Sequence, residues 1–337
     1  MIDELGWVSG ALALLSLLLV CTLAGRRVTL ARAERRRLGA EERLRPLALA
    51  LVDGGSVPLP PLTAHDSRAL AVVLARYARQ VNGAALAYIG DFFEGHGHVA
   101  RELSRLEDRR AWRRASAAHA LGGMASERAI PVLLKALADP DRDVAAAAAR
   151  SLGRLRALEA VEPLVYALVD GRLPRAVSAQ GLLSIGPEAV PRLRDLLAEA
   201  PAQVAAFAVD LIGLLGDATN APELTVLLRD TSAEVRAHAA RALGRLGAEE
   251  AADELRRALD DRIPFVRVNA AHALGAIGDV SAAPALARQA RMDGFDPAEA
   301  AARALVRVSP QVLEAVAAEP GNWPHLDQAV DLARIQA

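Results

Sequence analysis

A stretch of about 31 residues recurs along most of this chain, and it limits the possible folds more than any other feature. The first copy runs from Arg114 to Val144 and contains an Ala-Leu-Gly step. We use the third residue of this step as the marker of each copy. The markers are Gly122, Gly153, Leu183, Gly213, Gly244, Gly275 and Val306. Their spacing of 30 or 31 residues predicts seven copies of one structural repeat.

The first half of each copy has the pattern of a short amphipathic helix, which we call helix A. The residues one before and two after the marker are apolar in every copy, as Leu243 and Leu246 are around Gly244. Offsets of three residues place these side chains on one face of a helix. The residue four before the marker is alanine or valine, which lets a neighbouring helix approach closely.

The second half of each copy predicts another short helix, which we call helix B. Its first apolar positions are Leu133, Leu164, Leu193, Leu224, Leu255 and Leu286. Proline stands near its start in five copies, where a missing amide costs little. Two helices this short cannot bury both apolar faces alone, so the copies must stack on one another. The sequence therefore predicts an all-α fold, an α-solenoid of about seven helical-hairpin repeats over residues 109–317.

The repeats resemble a known family in two segments. These are AARALGRLG, from Ala239 to Gly247, and the proline-led AAPALARQA, from Ala282 to Ala290. Both are similar to HEAT repeats, in the short bacterial form also called bilin-lyase-like HEAT repeats. The resemblance covers residues 109–317 and implies a solenoid with a binding surface. The consensus consists of packing residues, so it specifies the fold rather than the function.

Composition excludes several classes of protein. The chain is 53% hydrophobic and only 3% aromatic, which is typical of alanine- and leucine-rich helices. A net charge of −1 argues against a protein that coats nucleic acid. Cys21 is the only cysteine, so there is no internal disulfide, cysteine zinc site or iron–sulfur cluster. We therefore expect no cofactor. Lys135 is the only lysine among many arginines, which indicates a bacterial genome rich in G and C.

The amino terminus has the features of a membrane anchor. Residues 5–25, LGWVSGALALLSLLLVCTLAG, carry no charge. As a helix they would span about 31 Å, which matches a hydrocarbon core of roughly 30 Å. Asp3 and Glu4 precede this run, whereas a signal peptide needs a basic region there. The sequence predicts an uncleaved transmembrane anchor over residues 1–25.

A basic juxtamembrane helix is predicted over residues 26–53. Its arginines include Arg26, Arg27, Arg35, Arg36 and Arg37. By the positive-inside rule they place the repeats in the cytoplasm of a single-pass protein of the bacterial inner membrane. They are explained either by this topology and a solvated helix or by binding to anionic lipid headgroups, and both can hold together.

The segments around the repeats are predicted as follows. Residues 54–66 form a linker rich in glycine and proline, and Asp66 or Ser67 caps the next helix. Residues 67–108 form a divergent helical cap with a break at Asn82-Gly83, and residues 318–337 form a closing helix. Five aromatic residues either complete the core at the first repeat or form a partner-binding patch. They are Tyr77, Tyr88, Phe92, Phe93 and Trp112.

The sequence offers little catalytic chemistry. His96 and His98 are the histidine pair that most suggests a metal, yet no acidic residue or cysteine completes a ligand set at helical spacing, and a turn is the better interpretation. A polar row stands three residues before each marker, which indicates either a solvated face or hydrogen bonds between repeats. It consists of His119, Arg150, Gln180, Asp210, Arg241, His272 and Arg303.

These observations favour a non-enzymatic, membrane-tethered scaffold that binds a partner protein, itself associated with the membrane. The alternative is a bilin-lyase-like enzyme or chaperone for a tetrapyrrole or another small molecule; nucleic-acid binding is disfavoured by the charge. The resemblance implies that helix B lines the concave side. The predicted contact residues lie two beyond the first leucine of helix B, and their chemistry differs between copies. They are Lys135, Tyr166, Asp195, Val226, Arg257 and Arg288.

Overall fold

The computed structural model describes the backbone of residues 2–53, 60–78, 80–81, 83–321 and 323–336. Within these ranges it describes the side chains from position 22 onward, except at positions 25, 28, 30, 33, 37, 199 and 336. All the regular secondary structure of this part of the chain is helical. The chain divides into two units. Unit 1 comprises Met1–Asp108 and Ala120–Ala129, and unit 2 comprises Arg109–His119 and Ile130–Ala337.

Four α-helices lie in the described part of Met1–Asp108. They are α1 (Ile2–Val52), α2 (Ala64–Tyr77), α3 (Ala84–Gly95) and α4 (His98–Arg105). The break near Gly83 and the end of α3 at Gly95 agree with the predicted cap. The start of α2 does not, because Thr63 caps the helix and its side chain accepts a hydrogen bond from the Asp66 amide at 3.1 Å. Asp66 is therefore inside the first turn rather than at the cap.

Helix α1 joins the predicted anchor and the predicted juxtamembrane helix in one element. Its carboxyl-terminal part packs against α2, with Ala40, Ala48 and Leu51 buried. Among the residues whose side chains the structure describes, no helix combines the length and apolar character needed to cross a membrane. The predicted anchor, residues 5–25, lies almost wholly outside the described side chains. Of the predicted basic residues, Arg26, Arg27, Arg35 and Arg36 are exposed. The Arg37 side chain lies outside the description.

Seven hairpins follow, as the marker spacing predicts. The A helices are α5 (Ala111–Leu121), α7 (Arg142–Arg154), α9 (Arg175–Ile185), α11 (Ala202–Leu215), α13 (Ala233–Leu246), α15 (Pro264–Ile277) and α17 (Phe295–Val308). The B helices are α6 (Ile130–Ala136), α8 (Val161–Val169), α10 (Val190–Glu199), α12 (Ala221–Val226), α14 (Ala252–Ala258), α16 (Ala283–Met292) and α18 (Pro310–Ala317). A closing helix, α19 (Pro324–Gln336), packs against α17 and α18.

The core of unit 2 consists of the predicted leucine positions. All six first leucines of helix B, from Leu133 to Leu286, are completely buried. The residues before the markers in helix A, such as Leu152, Leu243 and Leu274, are buried as well. Proline stands within the first turn of six B helices, which are the five predicted and also α18, which begins at Pro310. Both apolar registers are therefore part of the buried core, as the repeat pattern predicts.

The marker glycines allow successive A helices to touch. A Cβ atom on Gly244 would lie 2.7 Å from the Cα of Ala273 on the next A helix, and one on Gly275 would lie 2.9 Å from the Cα of Ala304. Gly213 has the same relationship to Ala242. These distances are shorter than a carbon–carbon contact, so glycine is needed because the next helix occupies the space. The marker glycine is therefore the position at which one A helix packs closely against the next.

Candidate protein-binding surfaces

The predicted contact row on the B helices is accessible along its length. Lys135, Asp195, Arg257 and Arg288 are exposed, Val226 is 70% exposed and Tyr166 is half-buried. Each follows a buried leucine by two positions, so the helical twist turns it outward. Tyr166 and Asp195 line a cleft of about 460 Å³ between α8 and α10. Arg288 and Met292 of α16 line a second cleft of about 370 Å³, whose opposite side is formed by residues that follow α14 and by Arg267 of α15.

Several charges of this row have neighbours on the same surface. Arg288 donates to Asp260 at 2.9 Å, and Arg257 donates to Glu254, which also accepts from Arg229. The hydrogen bond from Arg229 is the main cause that holds the pKa of Glu254 below its usual value. These pairs are largely solvent-exposed, so each is weak and can be exchanged for a contact with a partner.

A second set of ion pairs is structural. In three repeats an arginine of helix A, eight residues before the marker, binds an aspartate that follows helix B of the same repeat. The pairs are Arg114 with Asp139, Arg236 with Asp261 and Arg267 with Asp293. Burial alone would raise the pKa of Asp261, but hydrogen bonds from Arg236 and the Ile263 amide outweigh it and lower the pKa. These largely buried pairs connect the two ends of one repeat, and Asp261, Arg267 and Asp293 also line the second cleft.

The polar row on the A helices forms hydrogen bonds between repeats at its centre. Asp210 of α11 accepts from Arg241 Nε at 3.0 Å and lies 2.8 Å from His238 Nδ1, both on α13. Arg245 approaches the same carboxylate at 3.4 Å. Burial opposes ionisation of Asp210, yet the hydrogen bonds and charges of His238 and Arg241 lower its pKa. Of the two interpretations of this row, hydrogen bonding between repeats therefore applies to Asp210 and Arg241.

His98 is a buried member of the unit 1 core, which the sequence did not reveal. Its Nε2 lies 2.9 Å from Ser67 Oγ, and Arg101 contacts its Nδ1. Arginine can only donate, so Nδ1 accepts and Nε2–H donates to Ser67. Burial, followed by the Arg101 charge, lowers the pKa of His98 to about 4. Ser67 is therefore an acceptor rather than an activated nucleophile, and this pair does not form a hydrolytic site.

His96 and His98 flank a turn, as predicted, with Gly97 at a φ of 69°. No group of three or more histidine, cysteine or acidic residues suitable for a metal occurs among the residues described. Two of the neighbouring aromatic residues do not fit the predicted partner-binding patch. Phe92 and Phe93 are 4% and 1% exposed and surround His98, so they belong to the core and cannot contact a partner.

The other aromatic residues differ in exposure. Tyr77 is half-buried and receives a hydrogen bond from Arg45, which raises the pKa of that arginine. Tyr88 and Trp112 are 38% and 63% exposed. Tyr88 belongs to unit 1, whereas Trp112 belongs to unit 2, where Arg113 lies over its ring at 5.3 Å. The five predicted residues do not form one accessible patch, because two of them are buried.

Seven successive helical hairpins with a repeated core register define a helical-repeat protein. The model of HEAT repeats matches residues 100–183, 190–262 and 221–306, and the chain belongs to this family.

The chain is also similar in sequence to several solved structures. Human deoxyhypusine hydroxylase in complex with glycerol is 24% identical, with 80% of this chain and 97% of that chain covered and a TM-score of 0.32. The complex of CpcE and CpcF of phycocyanin lyase from Nostoc sp. PCC7120 is 24% identical, with 71% and 94% covered and a TM-score of 0.32. An engineered protein is 22% identical, with 88% and 90% covered and a TM-score of 0.39. None of the curated proteins matches this chain.

Proposed function

We propose that this chain is a non-enzymatic scaffold that holds a partner protein on the exposed row of its B helices. The observation that carries the proposal is the contrast within each B helix. The leucine of the repeat is invariably buried, whereas the residue two positions later is accessible and changes from Lys135 to Tyr166, Asp195, Val226, Arg257 and Arg288. A surface whose chemistry changes at each step suits the irregular surface of one particular protein.

The clefts between B helices add depth to this surface. Tyr166 stands at the first cleft, with Glu162 and Arg192 beside it. Tyrosine and arginine are the residue types most often found as interaction hot spots, because they combine large contact area with directed hydrogen bonds. A side chain of the partner that enters the cleft would contact Tyr166 and exchange the weak surface ion pairs for pairs across the interface.

The scaffold is proposed to act at the bacterial inner membrane. Residues 5–25 would serve as a single transmembrane anchor, with the arginines that follow on the cytoplasmic side. The partner is then another protein associated with the same membrane, because tethering raises the effective concentration of neighbours in the bilayer. Arg26, Arg27, Arg35 and Arg36 are exposed and free to lie toward anionic headgroups.

Copurification from native membranes tests the scaffold. The full chain should retain one protein in stoichiometric amount, and Tyr166→Ala with Arg257→Ala should abolish its capture while the thermal melt stays unchanged. Arg303→Ala, an exposed arginine on α17, is the matched control and should capture normally. A bound chromophore instead of a protein would refute the scaffold and support the bilin-lyase-like alternative.

Fractionation tests the anchor separately. The full chain should remain with membranes through a carbonate wash, and deletion of residues 1–25 should release it. A reporter fused after Ala337 that is active only in the periplasm would show that the proposed orientation is wrong.

A further inference from the structure

The close contacts between successive A helices from α7 to α17 are interrupted at one place, between α9 and α11. The other neighbouring pairs pack along their length, whereas α9 and α11 scarcely approach each other. The sequence gives the reason. The marker of α9 is Leu183 instead of glycine. The opposing residue on α11 is Leu211, whereas the other copies have a small residue (glycine, alanine or serine) at this position. Two leucines in this register hold the helices apart.

The surface around this interruption is open on the side of the A helices. Leu183 is 47% exposed and Leu214 is 54% exposed, although both are large apolar residues. Ala179 is half-exposed, whereas its equivalents Ala149 and Ala240 are completely buried. We call the surface between α9 and α11 the seam, and we define it by Arg175, Leu183, Phe207 and Leu214.

Arg175 provides the charge of the seam. It occupies the same repeat position as Arg236 and Arg267, but Ala200 stands where their aspartate partners would be. Arg175 instead projects across the seam, with its guanidinium 5.3 Å from the centre of the Phe207 ring. Among the described side chains no carboxylate pairs with it. A guanidinium stacked on a ring keeps its N–H edge available for a carboxylate.

We propose that the seam binds an amphipathic helical segment of a partner protein, with a carboxylate on Arg175 and an apolar side chain between Leu183 and Leu214. Arg175 and Leu183 are eight residues apart on α9, which corresponds to about 12 Å along its axis. Residues seven or eight apart on a bound helix lie on one face and match this distance. Asp210 should not repel the carboxylate of the partner, because its own negative charge is paired with His238 and Arg241.

The exposed leucines favour a protein segment over nucleic acid, which needs a row of cations along its backbone. This site goes beyond the proposed function, because the seam lies on the A helices and uses none of the contact row on the B helices. Loss of the seam would leave capture through Tyr166 and Arg257 unaffected, so the two proposals fail separately.

A designed peptide tests the seam on the full chain in mild detergent. The probe is a fluorescent helical peptide of about 18 residues with one glutamate and leucines at the matching face, and its twin carries lysine for glutamate. Fluorescence anisotropy should show that the glutamate peptide binds about tenfold tighter than its twin. Arg175→Glu should reverse this preference, whereas the control Arg303→Glu should leave it unchanged.

A second variant tests the apolar part. Leu214→Glu replaces an exposed residue, so the variant should fold normally. It should bind the glutamate peptide about tenfold more weakly than the unmodified chain does. Equal binding of both peptides, or an unchanged preference in Arg175→Glu, would overturn the proposal. So would sedimentation showing that the chain dimerises through a surface sensitive to Leu214→Glu, since the occupant would then be a second copy. Displacement of the peptide by single-stranded DNA, dependent on Arg175, would equally overturn it.

Discussion

Arg236 grips Asp261 with two hydrogen bonds, from Nε at 2.7 Å and from Nη2 at 3.0 Å, while its Nη1 donates to the Asp230 carbonyl at 2.9 Å. Only 9% of the arginine side chain and 12% of the aspartate side chain are exposed. The pair joins the start of helix A to the chain leaving helix B of the same repeat. A bidentate pair shielded in this way fixes the geometry of the turn more firmly than a surface pair.

The first prediction concerns this pair. Arg236→Ala leaves the Asp261 carboxylate and two backbone carbonyls without their donor, so it should lower the free energy of unfolding by about 2 kcal/mol. Arg175→Ala, at the same repeat position but without an aspartate, should cost only about 0.5 kcal/mol. Urea unfolding of the two variants measures the difference. Equal costs would mean that the pair adds nothing beyond a surface contact.

The second prediction concerns the stability of the fold at low pH. The pKa values of Asp139, Asp261 and Asp293 are lowered, so the folded state holds these protons less tightly than the unfolded chain. The stability that the three carboxylates contribute should be fully present above the ordinary aspartate pKa of about 4. It should be lost as pH falls through the lowered pKa values. Urea midpoints between pH 7 and pH 3 measure this loss. Asp261→Asn should be less stable at pH 7 and should lose less on acidification; a parallel pH profile would contradict the assignment.

The third prediction concerns His98. Its pKa of about 4 lies below the usual value of 6.5, so the unfolded chain gains a proton before the folded chain does. The stability of unit 1 should be constant above about pH 6.5 and should fall as pH drops toward 4. Hydrogen exchange of α3 and α4 amides, corrected for the intrinsic rate, measures it. His98→Asn removes the titrating group, and an unaltered pH dependence in that variant would assign the effect to other groups.

The fourth prediction concerns the contact between A helices. Gly244→Ala places a Cβ 2.7 Å from the Cα of Ala273, a backbone atom that cannot move alone, and should destabilise unit 2 by about 2 kcal/mol. Gly247→Ala is the control, because nothing lies within 4 Å and the cost comes only from its φ of 63°. That cost should be about 1 kcal/mol. Thermal melts rank the two variants, and a larger loss at Gly247 would refute close helix contact as the role of the marker.

The fifth prediction separates core from surface on one helix. Leu243 is completely buried, so Leu243→Ala should cost about 2 to 5 kcal/mol through the cavity that it leaves. Arg241→Ala removes a partly exposed ion pair with Asp210 and should cost about 1 kcal/mol. Denaturant unfolding should show this order. Similar losses would mean that the two faces of α13 are assigned incorrectly.

The helices of unit 2 could be predicted because their signals are local. The leucine and alanine registers repeat within a few residues, and the period of about 31 residues gives the number of hairpins directly. The accessible position of Arg257 and the half-buried position of Tyr166 followed from their offset to a buried leucine. Their role in binding a partner stays a prediction, because exposure alone does not select one surface over another.

Other features depended on contacts between residues far apart in sequence. His98 can be buried because Ser67, 31 residues away, accepts a hydrogen bond from its Nε2–H. Phe92 is buried because it packs beside that histidine. In the sequence, Leu183 is only one departure from the marker glycine. It separates α9 from α11 because Leu211, which faces it on the next A helix, is also large. The pattern of one repeat determines its own two helices, whereas the distance to the next repeat depends on both facing side chains. The combined volume of these two side chains sets how closely neighbouring A helices pack, and only the tertiary structure shows which residues face each other.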